Sequence, residues 1–481
     1  LYQKDADVRE SRGFRETKVP GASGFLSTEG SITVSEWERN KRVTYKEARV
    51  YLDEVSKYGS VLGLDTVREL LDELGNPQDA LKFIHIAGTN GKGSVLAFTS
   101  TILSEAGYRI GRYISPTVIS YLERIQVDGT WVSEREFAGY VEEVQKAVAR
   151  METRGMLCPT VFEMETAIAF LHFRKKKCDF AVLETGLGGN LDATNIVKNT
   201  VFAVFTSISR DHMGFLGETL EEITENKSGI IKPGCIVVSA AQEPEAEHIL
   251  RKRAESLGCP IVFASPEESV IHEETYKGMT FTYPRWGNMP VNIRMAGRYQ
   301  LLNAAVVLEL VKLLEIPRGA VLDGFEKARW TGRFTCICEE PLFIIDGAHN
   351  RDAAARLTES VRQYFSGKHI IFIMGVFRDK EYEEIARQTA PLAESIYTVE
   401  LPDKDRTLKA EKLKEACAFY CTGEVRAAAG IKDAVYASWQ EACEKKECVI
   451  LAFGSLSYLG EVMQEVKRIE NMRAITKSGD E

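Results

Sequence analysis

The sequence predicts an α/β protein: a mostly parallel sheet covered on both faces, followed by a second, smaller α/β domain. Three observations carry this. Short apolar, strand-like runs alternate with helical runs, the pattern of a parallel sheet crossed by helices. One strand–helix joint holds a glycine-rich loop, Gly88-Thr89-Asn90-Gly91-Lys92-Gly93-Ser94. A second strand–helix series begins near residue 334, beyond a helical stretch at 301–316.

Taken in order, residues 1–42 are rich in Gly, Ser and charge without a sustained period, and a flexible extension is expected there. Helical patterning starts at Val43 with VTYKEARVYLDEV and continues in LDTVRELLDELG, which Gly75 stops. KFIHIA (82–87), DFAVLE (179–184) and VFAVFTS (201–207) read as buried strands, with apolar helices VLAFTSTILSEA and VFEMETAIAFLHF between strands. In the second series LFIID (342–346), IIFIMG (370–375), SIYTVE (395–400) and CVILAFG (448–454) are strand-like, and KEYEEIARQTA and DAVYASWQEAC are helical. The boundaries expected are 43–331 for the first domain and 332–481 for the second.

The chain has 481 residues, 44% hydrophobic and 27% charged, which excludes a mainly disordered or fibrous protein. Its 61 Lys+Arg against 70 Asp+Glu give a net charge of −9, a poor basis for a broad nucleic-acid surface. No apolar run approaches the ~20 residues of a membrane helix, and LYQKDADVRE has no signal-peptide core. The ten cysteines include no CxxC pair. The close pairs Cys336/Cys338 and Cys417/Cys421 fit neighbours on a strand face and on a helix face, so reduced structural thiols and a cytoplasmic location are expected.

The glycine loop is the strongest local signal. Glycines let backbone N–H groups face phosphate oxygens, and a following helix adds its N-terminal partial charge. Lys92 can bridge β- and γ-phosphates, and the Ser94 hydroxyl can ligate Mg²⁺. From Ile86 to Ile102, Lys92 is the only charged side chain. The strict eight-residue P-loop pattern is not met, because Gly93 separates Lys92 from Ser94.

Other candidates lie at strand ends, where parallel sheets bind ligands. Glu184 closes DFAVLE before TGLGGNLDATN; it is a natural Mg²⁺ ligand beside a triphosphate, or an ordinary strand-end residue. His212, in SRDHMGFLG, gains interest from Asp211 beside it, although a lone His is more often structural. Lys227, in ENKSGII, sits oddly near a metal, because two cations repel unless something neutralises one. Ser115, before Pro116, can reach a metal or phosphate or simply begin a turn. Arg333 can clamp phosphates from across a cleft, and Asp346, in Asp346-Gly-Ala-His349-Asn350, can accept from ribose hydroxyls; each also has a purely structural reading.

Together the segments LGLDTVRELLDELGNPQ, IHIAGTNGKGSV, ISPTVISYLERIQVDG, LETGLGGNLDATN, SRDHMGFLGETLEEITENKSGIIKPG, GRYQLLNAA, WTGRF, DGAHN and LAFGSLSYLGEV resemble the folylpolyglutamate synthase/dihydrofolate synthase family of the Mur-ligase superfamily, over residues 43–481. The resemblance implies a P-loop ATPase-like parallel-sheet domain followed by a smaller Rossmann-like ligase domain. It implies that Gly88 to Ser94, with Asn303, Arg333, Asp346 and His349, bind ATP. It further implies that Ser94, Ser115, Glu184 and His212 bind Mg²⁺, and that Lys227 is carbamylated, which turns a cation into an anionic ligand. Lys92, Glu184, His212 and Lys227 are then the catalytic set. The implied reaction adds L-glutamate to a folate carboxylate, or to dihydropteroate, in a monomer acting on small molecules. Three positions depart from the family pattern: Thr117 where His is usual, Asn190 where Arg is usual, and Arg351 where Pro often follows DGAHN. Two further readings stay open at this point: a Mur-type ligase for another carboxylate, and a non-catalytic nucleotide-binding regulator.

Overall fold

The computed structural model describes residues 43–56, 63–210 and 216–479. The expected N-terminal extension, Asp211 and His212 lie outside the described residues. The chain from Val43 onward forms one compact unit.

The larger sheet has eight strands: β1 (Phe83–Ala87), β2 (Ile110–Tyr113), β3 (Ile125–Val127), β4 (Thr130–Trp131), β5 (Phe180–Glu184), β6 (Thr200–Phe205), β7 (Ile236–Ser239) and β8 (Ile261–Phe263). Their order is β4-β3-β2-β5-β1-β6-β7-β8. The six from β2 to β8 run parallel, and β3 and β4 close one edge as an antiparallel hairpin. All five residues of β1 are buried. Ile84 and Ile86 pack with the helices Lys92–Glu105 and Tyr299–Leu313 on one face, and Phe83 packs with Val161–Lys175 on the other. Burial on both faces is why these strands read as unbroken apolar runs. The helix Lys92–Glu105 is itself enclosed, with Gly93 to Ser100 all buried, as its nearly charge-free sequence requires.

A feature the sequence reading missed is a three-stranded antiparallel sheet, β9 (Val270–Thr275), β10 (Gly278–Tyr283) and β11 (Gly287–Ile293). Its Phe281, Tyr283, Val291 and Ile293 join the core around Tyr299–Leu313.

The second sheet has six strands: β12 (Thr335–Glu339), β13 (Leu342–Ile345), β14 (His369–Met374), β15 (Ser395–Thr398), β16 (Glu424–Ala427) and β17 (Cys448–Phe453), ordered β12-β13-β17-β14-β15-β16. Only β12 is antiparallel to its neighbour. Helices cover both faces of this smaller sheet domain. Cys336 and Cys338 both lie on β12, as expected of strand neighbours. Cys421 departs from expectation: the helix Ala410–Ala418 ends before it, although its N–H still donates to Cys417 O at 2.9 Å. All ten cysteines are free. Among the described residues no helix is long and apolar enough to cross a membrane.

Candidate active site

β1 stands at the centre of the parallel sheet, and its loop emerges at the carboxyl edge. Gly88 has φ +145° and Gly91, which precedes the helix Lys92–Glu105, has φ +98°. Both values favour glycine, and a Cβ at either would strike a neighbour, Thr206 beside Gly88 and Asn303 beside Gly91. Gly93 is helical but lies under the Trp330 indole, whose ring would be 2.5 Å from an added Cβ. The loop is thus fitted against three side chains from distant parts of the chain. Thr89 N–H donates to Ser207 O at 2.8 Å and its hydroxyl to Ser209 O at 2.9 Å.

A cavity of about 120 Å³ opens on this loop. It gathers Gly88, Thr89, Asn90 and Lys92 from the loop, Ser115 after β2, Glu184 at the end of β5, and Lys227 at the end of the helix Leu220–Ser228. Arg333 and His349 line it from the second sheet domain. Lys92 Nζ donates to Gly88 O at 3.1 Å and to Thr89 O at 3.2 Å, and Lys227 Nζ reaches the same Gly88 oxygen at 3.1 Å. Burial raises the Glu184 carboxyl above its ordinary range, while Lys92, Arg333 and a backbone hydrogen bond from Ser115 pull it back. Glu123 shapes the wall beside Ser115: its Oε2 accepts from the Val118 and Ile119 N–H groups at 3.1 and 2.8 Å.

A recess of about 40 Å³ lies on the other side of the loop, between Asn90, Gly91 and Ser94 and the second domain's Asp346, His349 and Arg356, with Arg333 between the two spaces. Ser94 Oγ is buried and has no hydrogen-bond partner among the described residues. Asp346, at the end of β13, accepts from Phe334 N–H at 2.7 Å and Ala348 N–H at 2.8 Å. Burial raises its carboxyl too, and Arg333 opposes the shift. His349 Nδ1 lies 2.7 Å from Gly347 O. Asn303, buried on the helix Tyr299–Leu313, donates to Gln300 Oε1 at 2.9 Å. A larger cleft of about 690 Å³ adjoins these spaces along β12 and shares Trp330 and Arg333 with them. We place the site at the smaller spaces because the glycine loop and the buried carboxylates converge there.

Of the sequence candidates, all described ones border these two spaces except Gly93, which lies under Trp330, and Asn303, which packs beside Gly91. Trp330, Tyr299 and Arg356 were missed as site residues; Trp330 and Tyr299 fall inside WTGRF and GRYQLLNAA, motifs whose aromatic residues carry no chemical signal of their own. Of the departures, Asn190 faces outward, lining a separate cleft with Ser228 and His248. Arg351 begins the helix Arg351–Tyr364, with Nε 3.6 Å from Glu384 Oε1.

No group of three or more His, Cys, Asp or Glu gathers within metal-holding reach among the described residues. The oxygens present, the unpartnered Ser94 hydroxyl and the buried Glu184 carboxylate, are the hard donors Mg²⁺ prefers.

Residues 86–311 match the Mur ligase middle domain, and residues 332–456 match the Mur ligase glutamate ligase domain. The dihydrofolate synthase/folylpolyglutamate synthase of Bacillus subtilis is 35% identical over 363 residues, covering 73% of this chain and 84% of the relative. The folylpolyglutamate synthase of Lacticaseibacillus casei is 30% identical, covering 76% of this chain and 87% of its own length. Among solved structures, E. coli FolC in complex with DHPP and ADP superposes with a TM-score of 0.76 at 28% identity, covering 89% of this chain and 98% of that one. Mycobacterium tuberculosis folylpolyglutamate synthase, complexed with ADP and AMPPCP, gives 0.78 at 26% identity, over 86% and 97%. A modified phosphate loop facing a second α/β domain, two Mur ligase domains in order and relatives matched over most of their length lead to one conclusion: the chain belongs to the folylpolyglutamate synthase/dihydrofolate synthase family of the Mur ligase superfamily, a family of ATP-dependent amide ligases.

Proposed function

We propose that this ligase joins L-glutamate to the terminal carboxylate of a tetrahydrofolate or folylpolyglutamate, with release of ADP and phosphate, and that it also converts dihydropteroate to dihydrofolate. The observation that carries the residue-level reading is the convergence of Lys92, Glu184 and Lys227, from the carboxyl edge of the parallel sheet, with Arg333 and His349 from the second domain on one cavity. In this reading residues 43–331 form the ATP-binding domain and 332–481 the C-terminal ligase domain, acting as a cytoplasmic monomer.

A carboxylate is a poor electrophile. Its oxygen attacks the γ-phosphorus of ATP, ADP leaves, and an acyl phosphate results. The amine of glutamate then attacks the acyl carbon, loses a proton, and phosphate departs. The chain's part is positioning and charge. Backbone N–H groups of the glycine loop and Lys92 hold the phosphates, and Arg333 offers a planar fork from across the cleft. Asn303, Asp346 and His349 hold the nucleoside end. Two domains enclosing the cavity keep water from the acyl phosphate. Ser94, Ser115, Glu184 and His212 would hold Mg²⁺, which supplies charge compensation on the phosphoryl oxygens. Carbamylation of Lys227 adds an anion at that edge.

The test is glutamate-dependent ADP release with tetrahydrofolate, with dihydropteroate, and with a muramyl peptide, product masses being read out. Turnover with both pteridine substrates is expected. Turnover with the muramyl peptide alone would overturn the substrate assignment, and nucleotide binding without turnover on any carboxylate would overturn the enzymatic one.

A further inference from the structure

The phosphate loop is tied to both domains. On its own side, Asn90 forms an antiparallel bridge with Ser207 just beyond β6. Toward the second domain, Asn90 Nδ2 donates to Asp352 Oδ2 at 2.8 Å, and Asn90 Oδ1 accepts from Asn350 Nδ2 at 3.3 Å. Asp352 is paired with Arg356 at 3.1 Å. Arg356 Nη2 in turn donates to Ser207 Oγ at 3.3 Å, and Ser207 Oγ donates to Asn90 O at 3.2 Å. The four residues Asn90, Asp352, Arg356 and Ser207 thus close a ring across the domain junction.

The placement of Asp352 is unfavourable on its face. From Ile86 to Ile102 the sequence has no acid, yet the fold brings a carboxylate onto this loop, where an anionic ligand must sit. Arg356 compensates that charge, and the bond to Asn90 uses it. An acid in the first helical turn needs only the helix dipole; it does not need a partner in another domain. Both amide ends of the Asn90 side chain are taken by the helix Arg351–Tyr364 and its N-cap Asn350, just after Asp346 and His349.

We propose that Asp352 and Arg356 are positioning residues for the ligase reaction: acting through Asn90, they lock the phosphate loop to the domain that carries Arg333, Asp346 and His349. The latch sets the distance between the phosphate cradle and the groups facing it. When the domains part, the Asn90–Asp352 bond breaks, so its formation favours the closed, reactive state. A charge-assisted hydrogen bond of this kind is strong enough to weight that equilibrium about tenfold.

The latch rests on the ATP-site reading above, and the experiment separates the two. Steady-state kinetics with ATP as the varied substrate are compared for wild type, Lys92→Ala, Asn90→Ala, Asp352→Ala, Asp352→Asn and the Asn90→Ala/Asp352→Ala double variant. Asp352→Ala is expected to raise KM for ATP and lower kcat, about tenfold in kcat/KM. Asp352→Asn keeps an acceptor for Asn90 and is expected to retain most activity. The double variant is expected to be no worse than Asn90→Ala, because both changes remove one contact. Losses that multiply in the double variant, equal losses in Asp352→Asn and Asp352→Ala, or a lowered melting temperature with unchanged kinetics would each overturn the latch. Unimpaired turnover in Lys92→Ala would instead overturn the ATP site itself.

Discussion

Lys92 and Lys227 donate to the same acceptor: each ammonium lies 3.1 Å from the Gly88 carbonyl oxygen. Two ammonium groups on one carbonyl repel, so the pair calls for anionic charge in the cavity they share with Glu184. In the ATP-site reading proposed above, phosphate oxygens supply it beside Lys92. In that reading loss of the lysine removes a cation from the phosphoryl site, and Lys92→Ala is expected to abolish ADP formation with folate and glutamate. Near-normal turnover would sink the phosphate-loop assignment.

For Lys227 the proposed answer to the charge problem is covalent. A neutral lysine amine attacks CO₂, sheds a proton and becomes a carbamate. Turnover is therefore expected to fall when bicarbonate and CO₂ are stripped and to recover on their return, with a carbamate adduct in the native mass spectrum that Lys227→Arg lacks. Lys227→Ala is expected to lose about a hundredfold in kcat. An activity indifferent to CO₂, with no adduct, would leave Lys227 as a plain phosphate contact.

Gly93 and Trp330 make a third test. An alanine Cβ at position 93 would lie 2.5 Å from the indole, so the ring must move. Trp330 also lines the active-site cavity. Gly93→Ala is expected to cost about 1–3 kcal/mol from overpacking and to raise KM for ATP. Gly139, on the helix Glu134–Thr153, has open space around its Cβ position, and Gly139→Ala is expected to stabilise by about 0.5–1 kcal/mol without altering KM. Thermal melts and ATP titrations of the two variants decide it; similar behaviour in both would refute the packing argument.

The contrast between these glycines shows what was legible in the sequence. Buried parallel strands such as FIHIA and CVILAF are apolar on both faces, so they stand out as short runs between helices. The loop at Gly88 to Ser94 is one contiguous segment, so its chemistry could be read directly. The sheet β9–β11 was missed although GMTFTY alternates strictly, with Met279, Phe281 and Tyr283 buried; its neighbour VIHEET is largely exposed and carries no such signal. Asp352, Arg356 and Ser207 were not visible either: they meet only when the two sheets face each other. Trp330 over Gly93 is of the same kind, a contact made by packing rather than by spacing.

His85 offers a prediction in pH. It is fully buried in β1, with Nε2 2.9 Å from Thr194 Oγ1. The Thr194 hydroxyl donates to Asp192, so it accepts from His85, which places the ring proton on Nε2. Nδ1 is left bare, with no partner among the described residues. Burial, with a smaller push from Lys232, drives the imidazole from 6.5 down to about 3. The unfolded chain therefore takes up a proton below about pH 6.5, while the folded one resists until about pH 3. The stability this gives is complete above about pH 6.5 and falls by about 1.4 kcal/mol per unit as pH drops through that window. His85→Gln keeps a donor for Thr194 and does not titrate. The gap in urea-unfolding midpoint between wild type and this variant is expected to shift against wild type between about pH 7 and about pH 4.5, by the equivalent of about 2–3 kcal/mol. A pH-independent gap would mean that His85 protonates in the fold as readily as in the unfolded chain, and the hydrogen-bond chain His85–Thr194–Asp192 would have to accommodate a charged ring.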